Sequence, residues 1–236
     1  MPNTGQLHWD HRDGRVAAVA AAIAYSFWAL EVVLPGAADT QGALVAPGST
    51  LGIILESAHR AAAILVLVAA VLGLMLGRKR GPALTVSWVS TAVFGAASLT
   101  TTLFSGPCVI STDVSCASEA LAEGVAGAGV AQALTAVVAV LAALAAVIAL
   151  AVDRWSAGDR ARMVVVAVAV LQAVAAASVL VTAFVVYSAS GDGSSGVALG
   201  LSERFHLATL ALWLVAAGVL PGPWKDAPVR ASTTVR

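Results

Sequence analysis

Six long apolar runs fill most of the chain, near 16–35, 53–77, 82–104, 124–152, 163–188 and 200–220, each parted from the next by a short polar stretch. Ala, Val and Leu recur around the whole circumference that a helix would have. An amphipathic surface helix would confine them to one stripe, so the pattern predicts membrane spans. A bilayer core asks for about 20 apolar residues per helix, and all six runs meet that length. The fourth is long enough to start outside the hydrocarbon or to tilt. The connections are Arg78-Lys79-Arg80, the segment 105–118, the segment 153–162, and a Gly/Ser stretch from Ser188 to Gly196. No linker divides the chain. It reads as one all-α integral membrane domain of six transmembrane helices (16–220), with a polar N-terminal segment (1–15) and a C-terminal tail (221–236).

Composition agrees with this reading. Of 236 residues, 59% are hydrophobic and 11% charged, and mean hydropathy is +0.91. Soluble domains carry about a quarter charged residues, so a soluble globular or disordered chain is excluded. Thirteen basic residues balance thirteen acidic ones. That balance provides no basic field for nucleic acid, and no nucleic-acid partner is expected.

Where the charges fall sets the expected orientation. Lys and Arg collect on one side of a six-span chain, at Arg12, Arg15, Arg78, Lys79, Arg80, Arg154, Arg160, Arg162, Lys225, Arg230 and Arg236. The opposite loops, 36–52, 105–118 and 189–199, contain none. The positive-inside rule then puts both termini in the cytoplasm of a plasma-membrane protein. Trp9, Trp155 and Trp224 stand where interfacial anchors stand. A cleaved signal peptide is the rival for the first run. Asp10, Asp13 and Glu31 argue for a retained span instead.

Cys108 and Cys116 both lie in the loop after the third run. Orientation puts that loop in an oxidising compartment, where a disulfide is expected. A redox relay would need a second cysteine pair, and zinc would need more ligands.

Charges within spans are costly, at roughly 3 kcal/mol each by insertion scales. Here they gather at one depth near the outer face: Glu31, then Glu56, His59 and Arg60, then Glu119 and Glu123, then Glu203, Arg204 and His206. Glu56 with His59, and Glu203 with His206, each repeat Glu-x-x-His, which puts both side chains on one helix face. Di-iron bundles use that spacing, with two further Glu that Glu31 and Glu123 could supply. The adjacent Arg60 and Arg204 would repel a dication, so no metal or other cofactor is expected. The preferred reading is a network in which Glu–Arg pairs lock the bundle. Behind it stands an acid–base site of Glu31, Glu56, His59, Glu123, Arg204 and His206, with Arg60 or Arg204 holding a lipid phosphate or carboxylate. Gly73 and Gly77 form one GxxxG, expected to serve close helix packing.

The loop Phe104-Ser105-Gly106-Pro107-Cys108-Val109-Ile110-Ser111-Thr112-Asp113-Val114-Ser115-Cys116 carries a family resemblance. So do the entry Gly200-Leu201-Ser202-Glu203-Arg204, the later Leu212-Trp213-Leu214, and Ala46-Pro47-Gly48-Ser49. Together these resemble the bacterial and archaeal multi-pass family called domain of unknown function 998, in its actinobacterial form, over roughly 16–220. The resemblance implies six helices in the plasma membrane and assigns no reaction. It gives weight to Arg204, Asp113, Cys108 and Cys116, and not to Glu203 or His206. Many similar proteins carry His in the helix after the cysteine loop. Here Val125 to Thr135 offers only Gln132 and Thr135, so a site built on those imidazoles does not carry over.

The leading expectation is a non-enzymatic accessory, scaffold or lipid-binding protein, partnered by membrane lipids or another membrane protein. A membrane-embedded enzyme acting on a lipid or isoprenoid is the alternative. A small-solute transporter comes third, because no span is visibly broken at its middle.

Overall fold

The computed structural model describes residues 9–34, 48–76, 81–103, 108–110, 112–122, 128–158, 160–190, 197–220 and 223–224. Among them every regular element is helical. The α-helices are α1 (His11–Tyr25), α2 (Thr50–Leu76), α3 (Pro82–Thr101), α4 (Val114–Ala122), α5 (Ala128–Ser156), α6 (Arg162–Ser190) and α7 (Val197–Val219), and a 3-10 segment (Ser26–Val32) follows α1. Four of these, α2, α3, α5 and α6, are long and apolar enough to cross a membrane. At 15 residues, α1 spans only about 22 Å before the chain tightens. The first half of α7 is diluted by Ser202, Glu203, Arg204 and His206.

Two parts of the chain resolve differently from the expectation. The first begins at His11, where Asp10 and Asp13 form a capping box: the Asp13 carboxylate accepts from the Asp10 amide, and the Asp10 side chain accepts from the Arg12 amide. Such a box satisfies donors that a helix start leaves open. This run leaves α-geometry at Tyr25, where the Ser26 hydroxyl donates to the Ala22 carbonyl at 2.8 Å. The second difference is α4, which occupies the end of the expected outer loop.

The long helices close into a ring. Each packs on the next: α1 on α2, α2 on α3, α3 on α5, α5 on α6, α6 on α7, and α7 back on α1. The α3–α5 pair is the most extensive. Short α4 lies over α5 and α6 and touches α7. Aromatic side chains fill the ring's interior. Phe94 packs against Tyr25 and Trp213, with centroid separations of 5.6 and 5.7 Å, amid small residues such as Ala62, Ala143 and Ala146. Small residues let helix backbones approach where lipid gives no hydrophobic drive between helices. The outer surface is apolar, with Ile64, Val71, Val138, Leu141, Val174 and Phe184 exposed, as suits a hydrocarbon surrounding.

Gly73 serves the close packing expected of it, because a Cβ there would lie 2.5 Å from the Trp88 ring. Trp224 departs from the anchor role. It is buried, meets Trp88 at a tilt with ring centroids 4.7 Å apart, donates to the Ala217 carbonyl, and lies where a Cβ on Gly14 would sit. Trp9 and Trp155 are exposed. Gly158, just past the end of α5, has φ +62, a left-handed geometry that favours glycine.

Candidate functional site

One end of the ring, where α2, α4 and α7 begin, holds most of the polar residues singled out above. It is called the cap end here. Cys108 and Cys116 are joined in a disulfide. The bridge ties the loop after α3 to the first turns of α4. Gln132 of α5 grips the same loop: its side-chain amide accepts from the Cys108 N–H and donates to the Cys108 carbonyl, both at 3.4 Å.

Two carboxylates hold the start of α4. Buried Asp113 accepts from the Cys116 amide at 2.9 Å, as an N-cap does. Glu203 of α7, fully buried, accepts from the Val114 amide at 2.6 Å. A carboxylate at a helix N-terminus meets both an open donor and the positive end of the helix dipole. Glu203→Leu is therefore expected to release α4, and Glu203→Gln, which keeps an acceptor oxygen, is expected to hold it. The loss should be about 1–3 kcal/mol, read as faster hydrogen exchange at Val114 in the Leu variant only.

Arg204 points the other way around α7. Its Nε donates to Glu31 Oε1 at 2.7 Å and its Nη2 to Glu31 Oε2 at 2.8 Å, while Nη1 donates to the Gly200 carbonyl at 2.9 Å. This two-pronged pair clamps the 3-10 segment to α7. Glu56 and Arg60 pair with each other at 2.9 Å, one helical turn apart and both about half exposed. Arg60 also reaches the Thr102 carbonyl past the end of α3.

The two histidines part company. His59 is buried and meets the Tyr25 ring edge-on at 5.1 Å. Beside it is a void of about 10 Å³ lined by Tyr25, Trp28, Leu55, Ile110 and Leu207, no larger than one water molecule needs. Neither Glu31, Glu56, Arg204 nor His206 lines it. His206 is buried on the α6 side, with its Nδ1 3.3 Å from Gln172 Nε2. Glu123 and the side chain of Glu119 lie outside the described residues. Among the described residues, no three His, Cys, Asp or Glu side chains stand close enough to hold a metal ion.

Sequence reasoning named Gln132 only as standing where an imidazole was absent, and gave Gln172 no role. Their signal was available: each is a lone amide in an otherwise apolar helix, and a polar side chain there finds a partner. It also read Arg154 as a loop cation. Arg154 is fully buried in the last turn of α5, ion-paired with buried Asp153.

The chain matches no family model, no curated protein and no solved structure.

Proposed function

We propose that this is a six-span plasma-membrane protein, akin to the domain of unknown function 998 family, with both termini cytoplasmic. It acts without catalysis, as an accessory protein that offers a rigid outer cap to a lipid or a membrane-protein partner. Six spans are supported by the ring, in which α1 and α7 are full members. The 23 residues of α7 reach about 34 Å, and α1 gains length from its 3-10 continuation.

The observation that carries the non-catalytic reading is the Glu31–Arg204 clamp. The Arg204 nitrogens Nε, Nη1 and Nη2 all donate within the protein, so the side chain acts as a fastener. Glu203 likewise fastens α4. Beside the fastened cap, α4, α5 and α6 border an apolar groove of about 250 Å³, lined by Val114, Ala117, Val137, Leu180 and Phe184 among others. That surface suits an acyl or isoprenoid chain, or an apolar partner helix.

A photo-crosslinking residue at Phe184 tests this in intact cells, with one at exposed Val174 on the same helix as control. A discrete lipid or protein adduct at Phe184, absent at Val174, is expected. The same bulk-lipid adducts at both positions would overturn the reading.

A further inference from the structure

We propose that the groove between the start of α1 and the end of α7 seats one acyl chain of an anionic glycerophospholipid, with Arg12 and Arg15 on its phosphate. This site lies at the end of the bundle opposite the cap. The inference needs only that the bundle spans a bilayer, and it stands apart from the role given to the cap.

The groove has a volume of about 450 Å³, within the usual range of small-ligand sites. Its α1 wall is Arg12, Arg15, Val16, Val19, Ala20 and Ile23, and the last residues of α7 complete it. Spacings of three and four put these side chains on one face of α1. The face is polar at its first turn and apolar for the next two. From Arg12 to Ile23 the axis advances about 16 Å. One leaflet of hydrocarbon is about 15 Å deep, half of a bilayer core. Mouth and slot together span one leaflet's depth, of which the apolar part from Val16 to Ile23 takes about 10 Å, and a cationic mouth above an apolar slot matches a phosphate above the upper part of its acyl chain.

The two arginines are placed to bind an anion. Among the described residues neither joins an ion pair. Arg12 is exposed. Arg15 gives its Nε and Nη2 to the carbonyls of Gly218 and Val219, at 2.7 and 2.6 Å. These bonds hold its guanidinium at the groove's edge and leave Nη1, one of the nitrogens that carry its five N–H donors, for a ligand. The nearby acids turn elsewhere: Asp10 and Asp13 accept from the backbone in the capping box of α1, Asp10 also faces His11 at 4.0 Å, and among the described residues neither pairs with Arg12 or Arg15. Val16 and Ile23 are well exposed on the apolar flank, so the slot opens to lipid.

The test is lipid retention by the full chain in detergent, read by native mass spectrometry. The probes are dioleoylphosphatidylglycerol, dioleoylphosphatidylcholine and sn-glycerol 3-phosphate. The wild-type protein should retain phosphatidylglycerol at least fivefold better than phosphatidylcholine, and should not retain glycerol phosphate. Arg12→Gln should lower phosphatidylglycerol retention about fivefold, to the level of phosphatidylcholine. Ala20→Phe, which fills the slot and leaves both arginines in place, should lower retention of both lipids. An unchanged melting temperature confirms that each variant is folded. Equal retention of the two lipids by the wild type would overturn the proposal. So would wild-type retention of phosphatidylglycerol by both variants. Retention of glycerol phosphate as strong as that of the lipid would make the site a free-phosphate site and also overturn it.

Discussion

Arg204→Ala is expected to cost the folded protein about 2–4 kcal/mol, the largest effect of any single change at the cap end. The physical reason is the carboxylate left behind. Glu31 keeps only 14% of its side chain exposed, and both its oxygens bond the one guanidinium. Truncating one member of such a pair strands the other's charge in a poorly hydrated place. For a chain of this size the loss should lower the melting temperature in detergent by roughly 5–12 °C. Glu31→Ala should lower it by less, because Arg204 retains the Gly200 carbonyl and some contact with water. The double Ala variant should be more stable than the sum of the two singles implies. Exchanging the two residues should recover only part of the loss, since a carboxylate at 204 cannot donate to Gly200. Additive single effects in the cycle would mean that the pair carries no coupling and the clamp does not exist.

Asp153→Ala should be comparably severe, at about 3–5 kcal/mol. Asp153 and Arg154 are adjacent, both buried, and ion-paired at the end of α5. Asp153 also borders the entry to α3, where a Cβ on Gly81 would lie 3.8 Å from its carboxylate. Removing the carboxylate takes away the charge beside a buried guanidinium. Pairing Asp153→Ala with Arg154→Met should restore most of the stability, because two apolar side chains need no partner. Thermal unfolding of the single and double variants in one detergent would decide this. A single variant as stable as the parent would show that water reaches the pair.

These two ion pairs show how much of the molecule can be read from the sequence. The polar layer at the cap end was legible for its described members, because charges at matching depth in apolar runs are conspicuous. Glu–Arg pairing within it was expected too. Which carboxylate meets Arg204 was not, because Glu31 lies 173 positions away and only the ring brings the 3-10 segment beside α7. The sequence alone could not show that Arg154 is buried. The helix α5 runs on to Ser156, past the point where apolar residues give way, so a residue that looked like loop sits inside the packed end. The nine-residue α4 escaped notice for a related reason. It is too short to stand out by pattern beside the long apolar runs, and its order rests on Asp113, Glu203 and the disulfide, all tertiary or near-tertiary ties. Trp224 was misjudged because an anchor and a plug look alike in sequence. The notch at Gly14 that receives it forms only when both ends of the chain meet.

That meeting has a consequence for how the protein is made. Among the helices of the ring α1 is synthesised before the rest, yet one of its flanks is covered by α7, which follows all the others. Until then the notch at Gly14 stands empty and Arg15 lacks the carbonyls of Gly218 and Val219. The growing chain therefore waits in the bilayer as an open arc, with an arginine held at its rim. A chain cut short before α7 would keep that gap permanently. It should be cleared by membrane proteases far faster than the closed form, although every helix before the cut is present. Closure of the ring waits on the arrival of α7, and a cell that degrades open arcs thereby removes chains that lack it.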